Sequence, residues 1–226
     1  MDKLSIILLN AFPDKKLKSL GNKCLIKLSS NCYLIDYHIN IFNKLFNNPE
    51  IIIVGSFESK RLSKYLKQEY ADENIKYIEH DIDCMSNIGM SIQSGISIAT
   101  HTNTLVINSS VLLNKNFRIN TQKSSIVMNL KHTGNIGCVL SNNKVINCYY
   151  GLNNEIYDIL YICSNDSDKF NHILSMPDIK KLYMFEIMNL CINNNIILSA
   201  IDVKDKVPHI IDSNEKIKKL KNKLCA

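Results

Sequence analysis

The apolar positions of this chain switch between two periods. Short runs of branched apolar residues at Lys3–Asn10 (KLSIILLN), Glu50–Gly55 (EIIIVG), Ile75–Glu79 and Leu105–Asn108 read as buried strands. Between them, Tyr33–Phe46 places Leu34, Tyr37, Ile41 and Leu45 at helical spacing, and Asn47-Asn48-Pro49 ends that helix. Ser56–Tyr70 and Ile88–Ala99 read as two more helices, the first with Glu58 in its first turn and lysines later, as the helix dipole favours. Strand and helix thus alternate at about 25 residues, the spacing of successive βαβ units with right-handed crossovers and a mainly parallel sheet. Ala11–Asn22 is expected as a polar loop broken by Pro13 and Gly21, Lys23–Leu28 as a short extended piece, and Asp81–Asn87 as a polar turn.

After Phe117 the pattern changes. Ser125–Lys131, Ile136–Leu140, Lys144–Tyr149 and Ile156–Cys163 read as strands, with Asn142-Asn143 as a two-residue hairpin turn. Lys180–Asn193 reads as a helix, Ile196–Val203 as a strand, and Ser213–Leu224 as a helix capped by Ser213. There are no internal repeats and no linker. The expectation is an α/β protein of three layers, α/β/α, around a mainly parallel mixed sheet. It would form one unit over residues 1–226, with a nucleotide-binding-type half (1–116) and a mixed half (117–226).

Composition narrows the class. A hydrophobic share of 46% supports a core and argues against disorder. The formal charge of +6 is concentrated at Lys15, Lys16, Lys18, Lys23 and Lys27, and at Lys216, Lys218, Lys219, Lys221 and Lys223. The second run suits the solvated face of a C-terminal helix. It lacks the interleaved aromatic residues of a nucleic-acid surface, so nucleic acid is set aside as a partner. Eight cysteines (Cys24, Cys32, Cys84, Cys138, Cys148, Cys163, Cys191, Cys225) form no CxxC pair and mostly sit in apolar segments. No leader pattern and no apolar run near 18 residues stands out. The expected setting is therefore cytoplasmic and reducing, with no membrane.

Candidate chemistry gathers where Leu105-Val106-Ile107 meets Asn108-Ser109-Ser110, since ligands of open α/β sheets sit at the carboxyl ends of such strands. No carboxylate stands there. Asp81 and Asp83, after the third strand, form an i, i+2 pair that suits either a shared metal or a solvated turn. His38, His80, His101, His132, His172 and His209 show no metal-ligand spacing, although His209 lies three residues before Asp212. No nucleophile-elbow pattern is present, which removes a Ser-His-Asp hydrolase.

Several segments together resemble the nucleotidyltransferases of GT-A-type fold, the sugar-phosphate nucleotidylyltransferases and the cytidylyltransferases that activate small phospho-alcohols. Asn22–Leu28 (NKCLIKL) followed by Tyr33-Leu34-Ile35 is similar to that family's Pro-Lys-x-Leu motif and its following Pro-Leu-Ile helix start. Asn87–Ile92 (NIGMSI) looks like its Asn-x-x-x-Ser-Leu helix start, and Pro208–Lys219 (PHIIDSNEKIKK) resembles its closing Ile-Asp-Thr-x-Glu-Asp segment. The resemblance implies a catalytic lysine at Lys23 and a metal-binding, catalytic aspartate at Asp212. It also implies nucleotide contacts from Lys15, Lys16, Asn87, Ser91 and Ser110, an NTP and a phosphorylated small molecule as partners, and Mg²⁺ as cofactor if the chain is active.

Two departures run against full activity. The family's glycine-rich loop, whose N–H groups cradle a triphosphate, is replaced by Leu9–Lys16 (LNAFPDKK), which has no glycine and no arginine. The family's Gly-Asp after the central strand is Ser109-Ser110, so one carboxylate for a hard cation is missing. The reading that follows is a degenerate nucleotidyltransferase-like domain, weakly active or non-catalytic, serving as a binding or structural module with a protein partner in an assembly. The alternative is an active Mg²⁺-dependent nucleotidyltransferase joining an NTP to a sugar phosphate or phospho-alcohol.

Overall fold

The computed structural model describes residues 3–11, 17–56, 58–79, 87–203 and 208–224. The elements run β1 (Leu4–Asn10), β2 (Lys27–Ser29), β3 (Cys32–Tyr33), α1 (Leu34–Leu45), β4 (Glu50–Gly55), α2 (Ser59–Glu69), β5 (Ile75–Glu79), α3 (Ile88–Ser97), β6 (Asn103–Asn108) and β7 (Val111–Leu112). The second half adds β8 (Ser125–Thr133), β9 (Ile136–Ser141), β10 (Lys144–Tyr150), β11 (Asn153–Ile162), α4 (Ser167–Leu174), α5 (Met184–Asn193), β12 (Ser199–Asp202), β13 (His209–Ile210) and α6 (Asn214–Leu224).

Among the described residues the main sheet has nine strands in the order β5-β4-β1-β6-β11-β8-β12-β10-β9. The first four are parallel, as the βαβ spacing predicts. β11 then runs antiparallel to both β6 and β8, joining the two halves through one ladder, while β12 is parallel to β8. The two faces follow the strand alternation. Ile7, Leu9, Val54 and Val106 join a core covered by α3, α4 and α5. Ile6, Leu8, Ile53 and Ile107 join the opposite core with Ile35, Ile39 and Phe42 of α1 and Leu62 of α2. Helices on both faces make three α/β/α layers around a mixed sheet.

Local chemistry explains the individual elements. α1 starts at Tyr33, whose N–H donates to Asp36 Oδ2 at 2.6 Å; that carboxylate also accepts from the hydroxyls of Tyr65 and Tyr70. The hairpin between β9 and β10 turns on Asn142 and Asn143, both left-handed (φ 48° and 61°), as a two-residue loop of asparagines predicts. α3 sits close on β1 because Gly95 carries no side chain: a methyl there would lie 2.5 Å from Ile7 Cγ2.

Three expectations change. Lys23–Leu28 is not extended throughout: Lys23–Leu25 is a 3₁₀ turn, with Asn22 Oδ1 accepting from Cys24 N–H, and only Lys27–Ser29 is strand. Lys180–Asn193 divides into a 3₁₀ turn (Ile179–Lys181) and α5. The break has a cause. The carbonyls of Lys180 and Leu182 accept from Asn87 and Gly89 N–H at the start of α3, a tertiary contact that favours the turn over a continuous helix. Ile196–Val203 is a strand only over Ser199–Asp202. Among the described residues no helix is long and apolar enough to cross a membrane, and the six described cysteines are all unpaired.

Candidate functional site

At the carboxyl end of β6 the chain turns through Asn108, Ser109 and Ser110. Asn108 Oδ1 accepts from the Ser110 N–H (3.0 Å) and from its hydroxyl (2.7 Å), an Asx turn that shapes the strand end. Ser109 is fully buried and bound on three sides. Its N–H donates to Leu9 O at 3.0 Å, its hydroxyl donates to Asn10 Oδ1 at 3.3 Å, and its carbonyl accepts from His38 Nε2 at 2.9 Å. A carbonyl only accepts, so His38 carries its proton on Nε2. Burial lowers the His38 pKa to about 4, against the raising effect of the Ser109 contact and with a smaller lowering from the Lys23 charge.

The network continues from Asn10. Its Nδ2 donates to Asn22 Oδ1 at 3.0 Å, and the Asn22 N–H donates to Glu58 Oε2 at 3.1 Å. Asn22 is thus held from both sides immediately before Lys23. These amides position the lysine with respect to the ends of β1 and β6.

Beside the turn lies a cavity of about 220 Å³. Leu9 and Ala11 from the end of β1 and Asn87 and Ile88 from the start of α3 form one side. Ile136 and the Tyr183-Met184-Phe185 segment form the other, with Asn108 and Asp158 also in the wall. Asp158 arrives by register: Ile159 pairs with Ile107 in the antiparallel ladder, which brings Asp158 abreast of Asn108. Asn108 Nδ2 donates to Asp158 Oδ2 at 3.2 Å. One amide therefore joins the Ser110 hydroxyl on one side to a carboxylate on the other. Burial raises the Asp158 pKa, opposed by the Asn108 hydrogen bond and the Lys23 charge.

The residues expected from the sequence fall as follows. Lys23 stands on the 3₁₀ turn, and its charge acts on both His38 and Asp158. Ser110 is in the turn, with its hydroxyl committed to Asn108. Asp212 follows β13, which pairs with β7; the Ile211 N–H donates to Ser110 O at 2.7 Å, so the chain reaches the same turn. Its carboxylate accepts from Lys216 Nζ at 2.8 Å. Asn87 lines the cavity with its amide engaged by Ile88 N–H and Lys181 O. Ser91 lies on the buried face of α3 and is not among the cavity-lining residues, and its hydroxyl has no partner among the described residues. His209 is exposed on β13. Lys15, Lys16, Asp81 and Asp83 lie outside the described residues.

Four residues of the site were not singled out in the sequence: Asn10, Asn22, His38 and Asp158. Asp158 had a faint signal, a lone acid inside an apolar strand, but only the ladder with β6 gives it an address. Among the described residues no group of three or more His, Cys, Asp or Glu side chains converges to hold a metal ion. The carboxylates tied to the turn are Asp212, by backbone, and Asp158, through Asn108.

No family model matches the sequence, and no curated protein matches it. Solved structures do match over the whole chain. A CTP:phosphocholine cytidylyltransferase from Streptococcus pneumoniae superposes with a TM-score of 0.78 at 19% identity, covering 98% of this chain and 99% of that one. An inositol-1-phosphate CTP transferase from T. maritima gives 0.77 at 13% identity, covering 99% and 97%. A UDP-glucose pyrophosphorylase complexed with UDP-glucose gives 0.74 at 13%, covering 100% and 99%. The chain has the GT-A-like α/β fold of these nucleotidyltransferases.

Proposed function

We propose that this chain binds a nucleoside triphosphate and a small phosphorylated alcohol at the carboxyl ends of β1 and β6, as a nucleotidyltransferase-fold protein whose transfer chemistry is weakened or lost. Lys23 is the phosphate-neutralising group, and the cavity lined by Asn108 and Asp158 receives the second ligand. Phosphoryl-type transfer rests on positioning and on charge neutralisation at the phosphates, so the groups around the turn set the rate.

The observation that carries the reading is the state of Ser110. It stands where the resemblance expects an aspartate, and its hydroxyl is spent on Asn108. Mg²⁺ takes one or two carboxylates together with substrate phosphates. Here Asp212 is paired with Lys216, and Ser110 brings no charge. This donor set fits Mg²⁺ poorly, and no step is assigned to the ion. A binding or structural module held by a protein partner in an assembly is the role proposed for such a weakened domain.

A second reading, an active transferase, draws on one observation: Asp158 supplies a carboxylate to the cavity through Asn108, within reach of the Lys23 charge.

Isothermal titration with CTP, UTP, GTP, ATP and dTTP, with and without Mg²⁺, tests both. Binding of one nucleotide that weakens about 10- to 100-fold in Lys23→Ala, the worth of a hydrogen bond to a charged group, supports the site. Pyrophosphate release above background would turn the result to the active reading. A rise in metal-dependent binding on Ser110→Asp would support the weakened one. No binding of any nucleotide at millimolar concentration would discard both.

A further inference from the structure

Helix α2 and the edge strand β5 border a cleft of about 550 Å³ that shares no lining residue with the cavity beside Asn108. Lys60, Lys64 and Lys67 line it from α2. Their spacing of four and three residues sets them on one helix face, opposite the buried Leu62 and Leu66. All three are exposed, and among the described residues none enters an ion pair. The carboxylate in the wall is Glu79, which accepts from the Ser59 hydroxyl, so positive charge prevails in the cleft. The Tyr77 hydroxyl, also in the wall, has no partner among the described residues.

β5 ends the nine-strand order, and among the described residues no strand pairs with its outer side. The ladder fixes which backbone groups face outward. Ile51 lies opposite Ile75, and its N–H donates to Asn74 O. In a parallel ladder the bonds to β4 then come from alternate residues, Lys76 and Ile78, and the N–H and C=O groups of Ile75, Tyr77 and Glu79 point away. The Ile75 N–H is taken by Glu73 O at 2.8 Å. What remains is the Ile75 carbonyl and the backbone groups of Tyr77 and Glu79, a row that an added strand can bond. Tyr77 and Glu79 turn their side chains to the lysines, while Ile78 faces the other way, partly buried against the core beneath α3.

The edge selects a backbone and the lysines select a charge. Lys60 and Lys64 are about 6 Å apart along α2, and alternate residues of a strand are about 6.8 Å apart. A strand laid along β5 therefore presents every second side chain to successive lysines and the others to the side of Ile78. A nucleic acid has no use for a row of strand N–H and C=O groups, and the lysine face of α2 carries no ring on which a base could stack.

We propose that β5 and α2 form a docking surface for an extended acidic segment of a partner protein, added as a strand along β5 with alternate carboxylates on Lys60, Lys64 and Lys67. This surface gives a place and a chemistry to the protein partner of the module reading, on which it rests, and it uses no residue of the nucleotide site.

Fluorescence anisotropy of a labelled octapeptide of alternating glutamate and valine, titrated with the full chain, tests it. The peptide is expected to bind at least about tenfold more tightly than its glutamine–valine counterpart. The same loss is expected in one of its two versions N-methylated at alternate residues, the one that lacks the N–H groups turned to β5. Lys60→Glu combined with Lys64→Glu, both at exposed positions, should lower peptide affinity at least about tenfold and leave nucleotide titration unchanged. Bound peptide should slow amide hydrogen exchange at Tyr77 and Glu79, the outward N–H groups. Undiminished binding of both N-methylated versions, or undiminished binding by the lysine variant, overturns the added strand. Tighter binding of a single-stranded oligonucleotide of equal charge overturns the partner class. No peptide binding at millimolar concentration overturns the surface, and nucleotide binding by the same sample would show that the nucleotide reading stands without it.

Discussion

The parallel strands β1, β4 and β6 carry a buried polar cluster at each end, and the two are built differently. At the amino ends, Glu50 is 1% exposed and saturated. Lys76 Nζ and Ser5 Oγ donate to it, and Thr100 donates both its N–H and its hydroxyl at 2.9 Å. Burial alone would raise its pKa, but those donors together lower it to about 2. At the carboxyl ends the cluster is mostly neutral amide and hydroxyl. Among the described residues His38 Nδ1 has no partner, and Asp158 is held by one amide. The saturated end ties three strands together and has nothing left to offer. The other end borders a cavity with the Asp158 carboxylate in its wall, the setting of a binding site.

Breaking the saturated end should have the largest effect. Glu50→Gln leaves Lys76 without its anion and should cost about 3 kcal/mol of stability in urea unfolding. A loss below about 1 kcal/mol would mean that the cluster is not a lock.

Acid should separate the two ends by pH. The His38 pKa is about 4 in the folded chain and near 6.5 in the unfolded one, so the unfolded state takes up the proton first. Its contribution is full above pH 6.5 and is lost as pH falls from 6.5 to about 4, in total about 3 kcal/mol. Glu50 has its pKa lowered from 4.5, so its contribution is full above 4.5 and is lost from there down to about 2. Stability measured against pH should therefore fall in two stages, the upper one absent in His38→Asn. A flat profile between pH 6.5 and 4.5 would contradict the buried neutral imidazole.

Smaller effects should follow at the turn itself. Asn108→Ala removes the partner of both Ser110 and Asp158 and should cost about 1–2 kcal/mol. It should also loosen any ligand that contacts Asp158, read by calorimetry. Ser110→Ala removes one hydroxyl from the same amide and should cost about 0.5–1 kcal/mol, with ligand binding nearly unchanged. A larger binding loss in Ser110→Ala than in Asn108→Ala would reverse the order of importance assigned to the two.

Much of the fold could be read in the one-dimensional pattern. β1, β4, β5 and β6 are local apolar runs, and α1 declares itself by the spacing of Leu34, Tyr37, Ile41 and Leu45. The Asn142-Asn143 hairpin is chemistry of two adjacent residues. The expected helix start at Lys180–Tyr183 differs from the structure for the opposite reason. Hydrogen bonds to Asn87 and Gly89, about ninety residues earlier, favour a turn there, and no local signal reports such partners.

The candidate site divides along the same line. Lys23, Ser110 and Asp212 stand in segments similar to family motifs, and that resemblance makes them candidates. Asn10, Asn22, His38 and Asp158 are ordinary residues in ordinary elements until β1, β6 and β11 lie side by side. The alternation of apolar runs is a local property, and it determined which segments become strands and helices and in what order. Which carboxylate faces the cavity, which amide is free to meet a ligand and which is spent depend on register between strands fifty residues apart. Those facts exist only once the ladder between β6 and β11 has formed, so only the tertiary structure decided them.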